Sequence, residues 1–448
     1  MAAAPGMVAL VSLLLLAGPL GKSAQFPFHE WLPEAMAGPG PVSALIHAAT
    51  MVKSGVYLVA RLVPIFYYGR WGAGIDEAAW FFYVTAWVGA FTAFLAATQA
   101  LVALELKKVL AYSTVSQIGY MLLGLGAAGL GPTFLLDGYT AGVFHLVSHA
   151  LFKACLFLCA GTVIHAVHSI YIQDMGAVRK HLPLTWLFTL VAALSLMGLP
   201  PSPGFWSKDA VLLAAADASM ALFVLALLTV TVTAFYTVRF LGLVFYGSES
   251  ETFLKVVRSG GHIDDGKMPM YVASGVLAIF IIGAGVGGPF IEGVLHHGFE
   301  VGLTRDANVV DSLTLEGGTA ESVSHQAIPF LSVLFLLAGA VPAYYLFIAR
   351  KASPQVLLQK YRVAGLLYTF FWKRWFIDAF YHYLFVGGIS RIATYIAETA
   401  ETRFNNFIHR QLPKLFTVKA EQLVHRLRAD TEELFYNVSY VLVLFVLL

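Results

Sequence analysis

Lys22, Lys153 and Lys208 sit inside or beside long apolar runs, and His145 and His149 precede Lys153 at intervals of four. An ammonium group at bilayer depth costs about 2.5–3.5 kcal/mol on insertion scales, so an ionisable side chain placed there is a functional hypothesis by default. A step of four residues turns about 400° and rises about 6 Å, which sets His145, His149 and Lys153 as a slanted ladder on one helix face. Across that rise direct hydrogen bonds are too long, and bridging water is needed. Imidazole titrates near neutrality, and a lysine does so where burial disfavours its charged form. The chemistry implied is proton exchange through trapped solvent. The plainer reading is three polar groups satisfied by helix–helix hydrogen bonds, and three titratable groups in register within one apolar span favour the proton path over it.

Further candidates lie nearby in sequence. His47 stands between Ser43 and Thr50, whose hydroxyls could hold water, and Lys53 follows six residues on, roughly on the opposite face of a continuous helix. Lys208 is followed by Asp209, an acid that could compensate its charge or move it. Glu105 and Lys107 flank a helix end, where a solvated pair is the usual explanation. His145 and His149 have the spacing of a zinc-binding pair, but Leu146 stands where an HExxH site needs glutamate, and no second Cys/His set completes four ligands. No metal is therefore expected. Cys155 and Cys159, four apart, make neither a CxxC motif nor a disulfide framework and read as small buried hydrophobes. With no GxGxxG, P-loop or iron–sulfur cysteine pattern, no cofactor is expected in this chain, and any redox chemistry belongs to another subunit.

The elements that must position these groups are membrane helices. At 448 residues, 58% hydrophobic and 12% charged, with a mean hydropathy of +0.75, the composition excludes an ordinary soluble domain, where about 25% of residues are charged. The net charge of +2 points to no particular partner, and no nucleic acid is expected. Taking roughly twenty apolar residues per span, the expectation is an all-α polytopic membrane protein with about ten transmembrane helices. They fall near 5–25, 42–65, 80–102, 109–130, 138–168, 184–213, 219–246, 269–289, 327–349 and 434–448. Residues 1–21 could pass for a signal peptide, but no Lys or Arg precedes the apolar core and Lys22 follows at once. They read instead as a membrane helix that begins abruptly, as in a chain whose front is missing.

Several spans are interrupted. Pro27 and Pro33 follow Lys22, Pro39 and Pro41 open the second span, and Gly198-Leu199-Pro200-Pro201-Ser202-Pro203-Gly204 splits the sixth just before Lys208. Proline breaks the helical ladder, and broken helices at membrane depth are tolerated where they are buried or line a wet cavity. A faint repeat matches this. The Lys22 break leads to a span ending Ser54-Gly55-Val56-Tyr57-Leu58-Val59-Ala60-Arg61, and the Lys208 break to one ending Thr233-Ala234-Phe235-Tyr236-Thr237-Val238-Arg239.

Lys107/Lys108, Arg179/Lys180 and Lys255/Arg258/Lys267 fall in alternate loops, and the opposite loops are uncharged or acidic, with Asp137, Asp217, Glu292, Glu300, Asp306, Asp311, Glu316 and Glu321. The basic side is thus the cytoplasm or an organelle's matrix. Residues 354–430 are too charged to span and too apolar for a free linker. Leu366, Leu367, Phe370, Phe371, Trp375, Phe376, Phe380 and Tyr383 recur at helical spacing around Lys373, Arg374, Asp378 and His382, which predicts an amphipathic helix along the interface or along neighbouring proteins, kinked at Pro413.

Specific runs then point to a family. Gln25-Phe26-Pro27-Phe28-His29-Glu30-Trp31-Leu32-Pro33-Glu34-Ala35-Met36, then Pro41-Val42-Ser43-Ala44-Leu45-Ile46-His47-Ala48-Ala49-Thr50, resembles the largest antiporter-like subunit of respiratory complex I, the chain L or subunit 5 family of NADH–quinone oxidoreductases. Lys107-Lys108-Val109-Leu110-Ala111-Tyr112-Ser113, Phe144-His145-Leu146-Val147-Ser148-His149-Ala150-Leu151-Phe152-Lys153 and Gly204-Phe205-Trp206-Ser207-Lys208-Asp209 extend the resemblance. It implies antiporter-like inverted five-helix repeats and a hydrophilic axis through Lys22, His47, His145, His149, Lys153 and Lys208, with Asp209 beside it and Lys53, Glu105, Lys107 and Asp378 in supporting places. It implies quinone reduction elsewhere driving proton movement here, with NADH, FMN, iron–sulfur clusters and quinone held by other subunits. It also implies that 354–430 is a lateral helix bracing neighbouring membrane subunits, that 434–448 anchors it, and that the setting is a bacterial or archaeal inner membrane rather than a mitochondrial one.

The family's first six helices, including the glutamate expected to pair with Lys22, have no counterpart here, which points to a fragment or a split subunit. The expected organisation is 1–68 as a remnant of the first repeat, 80–247 as the second repeat, 248–350 as two further helices with loops, then 354–430 and 434–448. Two other classes remain. Val52-Lys53-Ser54-Gly55-Val56-Tyr57 leans toward the first large subunit of a multisubunit Na+/H+ antiporter, with a membrane-bound hydrogenase subunit behind it. A membrane scaffold whose buried charges only guide assembly is the other.

Overall fold

A computed structural model describes residues 5–259, 265, 268–304, 323–427 and 432–447. Lys267 and the acidic residues Asp306, Asp311, Glu316 and Glu321 lie outside the described residues, as do 428–430 of the expected lateral helix. The described chain divides into two units, Met1–Trp372 and Lys373–Leu448.

The first unit is a helical bundle. α1 (Pro5–Lys22) leads through a loop and the short α2 (Trp31–Glu34) to α3 (Gly40–Ala48) and α4 (Met51–Tyr67). Then come α5 (Ala79–Val102), α6 (Leu106–Ala127), α7 (Leu135–Val167), α8 (Pro183–Met197), α9 (Pro203–Ala218), α10 (Met220–Phe245), α11 (Glu251–Arg258), α12 (Met268–Val286), α13 (Gly288–Thr304) and α14 (Val323–Ala343). Among the described residues seven helical stretches are long and apolar enough to cross a membrane, and Gly6–Lys22 and Pro183–Met197 are shorter apolar helices. The count falls below ten for physical reasons. α1 stops at Lys22, the sixth expected span is two helices rather than one, and the last, Glu432–Leu447, has 16 residues.

α6 is the bundle's axis. Every residue from Val109 to Ala127 is buried, including Ser113, Thr114, Ser116 and Gln117. Its closest neighbour is α5, against which small residues let the backbones approach. A Cβ on Gly89 or on Gly119 would strike the other's carbonyl, and one on Gly126 would strike Ala86. Close contact at small residues is the usual basis of helix association where lipid removes the hydrophobic driving force. α7 packs along α6's other side. Its 33 residues make about 50 Å of helix, more than a bilayer core of about 30 Å, so it tilts or projects.

Two breaks matter for function. α8 ends on Gly198 at φ +86°, where glycine meets no Cβ penalty, and α9 restarts at Ser202, whose hydroxyl caps the Phe205 N–H at 3.3 Å ahead of Pro203. α3 and α4 are separated at Ala49 and Thr50, whose φ/ψ of −127°/−31° and −114°/−86° leave the helical range.

The segment expected to form one lateral helix over 354–430 is interrupted. Pro354–Lys360 and Arg362–Trp372 are separate helices, and Arg374, Trp375 and Phe376 all take positive φ. From Ile377 to Leu427 the second unit is helical, with π-helical stretches at His382–Val386, Ile396–Glu401 and Phe407–Gln411. The last of these lies just before Pro413, where a missing N–H favours a local change of helical register.

Candidate functional site

Each titratable residue is placed by its helix. His145, His149 and Lys153 share the α7 face that meets α6, and all three are fully buried. Lys153 donates to the Leu110 carbonyl at 3.1 Å and to the Ser113 hydroxyl, both on α6. His145 bridges two helices, with Nδ1 2.9 Å from Ser207 Oγ on α9 and Nε2 3.2 Å from Gln117 Oε1 on α6. The His145 and His149 ring centroids are 6.4 Å apart, too far for a direct bond. His149 stands at the electrostatic centre of the group, within range of Lys53, Lys153, His145 and His47.

The broken helix presents Lys208. Its ammonium turns back to the Leu196 carbonyl in the last turn of α8, where unsatisfied carbonyls and the negative end of the helix dipole favour a cation. The same Nζ lies 5.9 Å from the Tyr120 ring centroid. Asp209 does not form an ion pair with Lys208. Its Oδ1 accepts from Ser332 on α14 at 2.6 Å.

His47 ends α3 and stacks on Phe157 of α7, with centroids 4.3 Å apart and planes at 24°. Lys53 is a correction. It is not turned away but buried among the others, donating to the Leu146 carbonyl of α7 at 3.1 Å, with Met121 Sδ at 3.7 Å. The break at Ala49 and Thr50 re-aims α4, so an angle reckoned along a continuous helix does not hold.

Lys22 is also corrected. It is exposed at the end of α1 and does not join the buried group. Glu105 and Lys107 do not pair with each other. Glu105 lies 3.4 Å from Lys108, which also reaches Glu34 at 3.4 Å, while Lys107 donates to the Gly38 carbonyl at 2.6 Å and ties the α2–α3 loop to α6. Asp378 pairs with Arg374 at 3.1 Å within the second unit.

Sequence reasoning missed Ser113, Gln117 and Ser207, the partners that hold Lys153 and His145. The available signal was Ser113, Thr114, Ser116 and Gln117 within four residues of one another on an otherwise apolar span. Among the described residues no three His, Cys, Asp or Glu side chains converge to hold a metal ion, and both nitrogens of His145 are already engaged.

The chain matches the NADH:quinone oxidoreductase/Mrp antiporter transmembrane family over residues 1–234. It is 37% identical over 424 residues to NAD(P)H-quinone oxidoreductase chain 5 of Picosynechococcus sp., covering 86% of this chain and 58% of that one. It is 33% identical over 419 residues to NADH-quinone oxidoreductase subunit L of Neisseria meningitidis serogroup A, covering 88% and 58%. It thus spans rather more than half the length of these relatives. Among solved structures, the Mrp complex from Dietzia sp. is similar with a TM-score of 0.59 and 26% identity, over 96% of this chain and 42% of that one. A membrane-bound sulfane sulfur reductase, at 24% identity and a TM-score of 0.55, shares the fold. On the matched helices that hold the buried lysines and histidines, this chain belongs to the NADH:quinone oxidoreductase/Mrp antiporter transmembrane family.

Proposed function

We propose that this chain is a proton-translocating membrane subunit of a complex I-type NADH:quinone oxidoreductase in a bacterial or archaeal inner membrane. Protons move through the buried Lys53, His47, His149, Lys153, His145 and Lys208 file, driven by quinone reduction in other subunits that hold NADH, FMN, iron–sulfur clusters and quinone. The observation behind this reading is that three buried lysines are held by carbonyls and hydroxyls, with no carboxylate in ion-pair contact among the described residues. Lone ammonium groups in such a setting exchange protons readily when a neighbouring charge changes. Both ring nitrogens of His47 and His149 and the side-chain polar atoms of Gln99, Ser116 and Ser148 find no hydrogen-bond partner among the described residues. A buried polar group left unsatisfied costs about 1–3 kcal/mol, so a set of them on packed helices calls for internal water, the medium a proton path needs. The second unit is proposed to brace neighbouring membrane subunits.

Lys153→Ala and Lys208→Ala are each expected to depress proton pumping in sealed membrane vesicles by about tenfold or more while the complex still assembles. Full pumping by both variants would leave the scaffold reading instead. The likeness to the Mrp complex, together with Lys53, favours a second reading as a Na+/H+ antiporter component, and pumping that follows sodium rather than quinone reduction would select it.

A further inference from the structure

We propose that Glu292, with Asp137 and His296, forms the outlet by which a proton leaves the Lys208–Asp209 end of the buried file for the acidic side of the membrane. The proposal rests on the proton-translocating reading above. The corner between α12 and α13 is seated against the broken helix. Trp206, two residues before Lys208, donates its indole N–H to the Gly285 carbonyl at 2.8 Å, and a Cβ on Gly288 would collide with the same indole. α13 therefore starts at the depth of the lysine. From there it passes over the start of α7, where the Tyr139 and Phe299 rings meet edge-on at 4.6 Å and His296 Nε2 lies 3.6 Å from Asp137 Oδ1.

Glu292, one turn past that corner, is half-buried and lies between the two ends. Its charge acts on Asp209 on one side and is acted on by Asp137 and His296 on the other. α13 is outside the spanning helices, and there burial and the Asp137 carboxylate push the Glu292 carboxyl above the usual glutamate range, with His296 opposing them. Two buried polar atoms on the packed helices α7 and α9 lack a partner among the described residues. Asp209 gives one oxygen to Ser332 while its other, Oδ2, has no partner among the described residues. The Thr140 hydroxyl, on a side chain 2% exposed, has none either. Thr140 follows Asp137 and Tyr139 on α7, both of which contact α13.

The transfer balances without any electron moving. The Lys208 ammonium gives its proton through bridging solvent to the Asp209 carboxylate, which hands it on through hydrogen-bonded solvent to Glu292. Glu292 passes it to Asp137 or to the His296 imidazole, which releases it to outer water; each acceptor returns to its starting form, and the Lys208 amine is recharged by the next proton from the buried file.

The test compares proton translocation by the assembled complex in sealed vesicles for Glu292→Gln, Glu292→Asp, Glu300→Gln on the exposed face of the same helix, and Lys208→Ala. Glu292→Gln should lower pumping by about tenfold, Glu292→Asp should keep most of it, and Glu300→Gln should match wild type. Full pumping by Glu292→Gln beside a loss in Lys208→Ala overturns the outlet and leaves proton translocation standing. Full pumping by Lys208→Ala overturns translocation itself, and the outlet with it. An equal loss in Glu292→Asp assigns the side chain to packing and overturns the relay. Should Glu292→Gln fail to assemble, the Asp137→Asn/His296→Gln double variant carries the same expected loss, and full pumping there overturns the proposal.

Discussion

The buried lysines are held by dipoles rather than by counter-charges. Lys208 takes the Leu196 carbonyl at the end of α8, Lys153 the Leu110 carbonyl and Ser113 hydroxyl, and Lys53 the Leu146 carbonyl. A carbonyl steadies an ammonium without fixing its proton as a carboxylate would, and that leaves the amine able to exchange. The energetic corollary is testable. Replacing a buried ion by an apolar side chain of similar volume is often neutral or stabilising, by about 1–4 kcal/mol. Lys53→Met is therefore expected to leave the melting temperature of the purified complex unchanged or raised, while proton pumping falls. A clear drop in melting temperature with pumping intact would make Lys53 a structural strut. The sequence announced Lys153 and Lys208 because each is a charge within an apolar run. The polar cluster from Ser113 to Gln117 hinted at partners, but serine is common in membrane helices for packing alone, and only the fold shows that Ser113 meets an amine and Ser207 an imidazole.

At the level of helices, breaks decide what can meet. The ladder His145, His149 and Lys153 was legible because α7 runs unbroken through it, so the helical period alone sets the face. Lys53 was not, because Ala49 and Thr50 interrupt the segment with no proline or glycine to mark the spot. The α8–α9 break was legible from its prolines and Gly198, although the sequence could not reveal how tightly it closes. A Cβ on Gly204 would collide with the Ser195 carbonyl, and the Gly204 N–H also reaches Ser195 Oγ at 3.2 Å. Gly204→Ala must therefore push α9 off α8, at about 1–3 kcal/mol for overpacking. It should also shift Ser207 and Lys208, one turn on, away from His145 and the Leu196 carbonyl. A lower melting temperature together with reduced pumping is expected. A variant as stable and as active as wild type would mean that the junction has slack and does not fix the lysine.

Across the whole molecule, the two units differ in what they bury. The first has a core of small, aliphatic and aromatic side chains. In the second, Phe380, Tyr383, Leu384, Phe385, Ile389, Ile392, Tyr395, Phe404 and Phe416 are all exposed. Apolar surface on that scale is unusual for a finished surface and marks contact with lipid or protein. A long helix with an exposed apolar face gains little from its own packing, since most helical stability in proteins comes from an apolar face set against something else. On the proposed reading the second unit draws stability from neighbouring subunits, whereas the first carries its own buried core. Deleting 373–448 is accordingly expected to leave the chain membrane-inserted and resistant to proteolysis through α14, while native gels show the complex dissociating into smaller assemblies. A full-size complex of wild-type stability would assign the exposed apolar face to lipid alone, and proteolysis spreading into α5–α10 would show that the bundle leans on the segment after all.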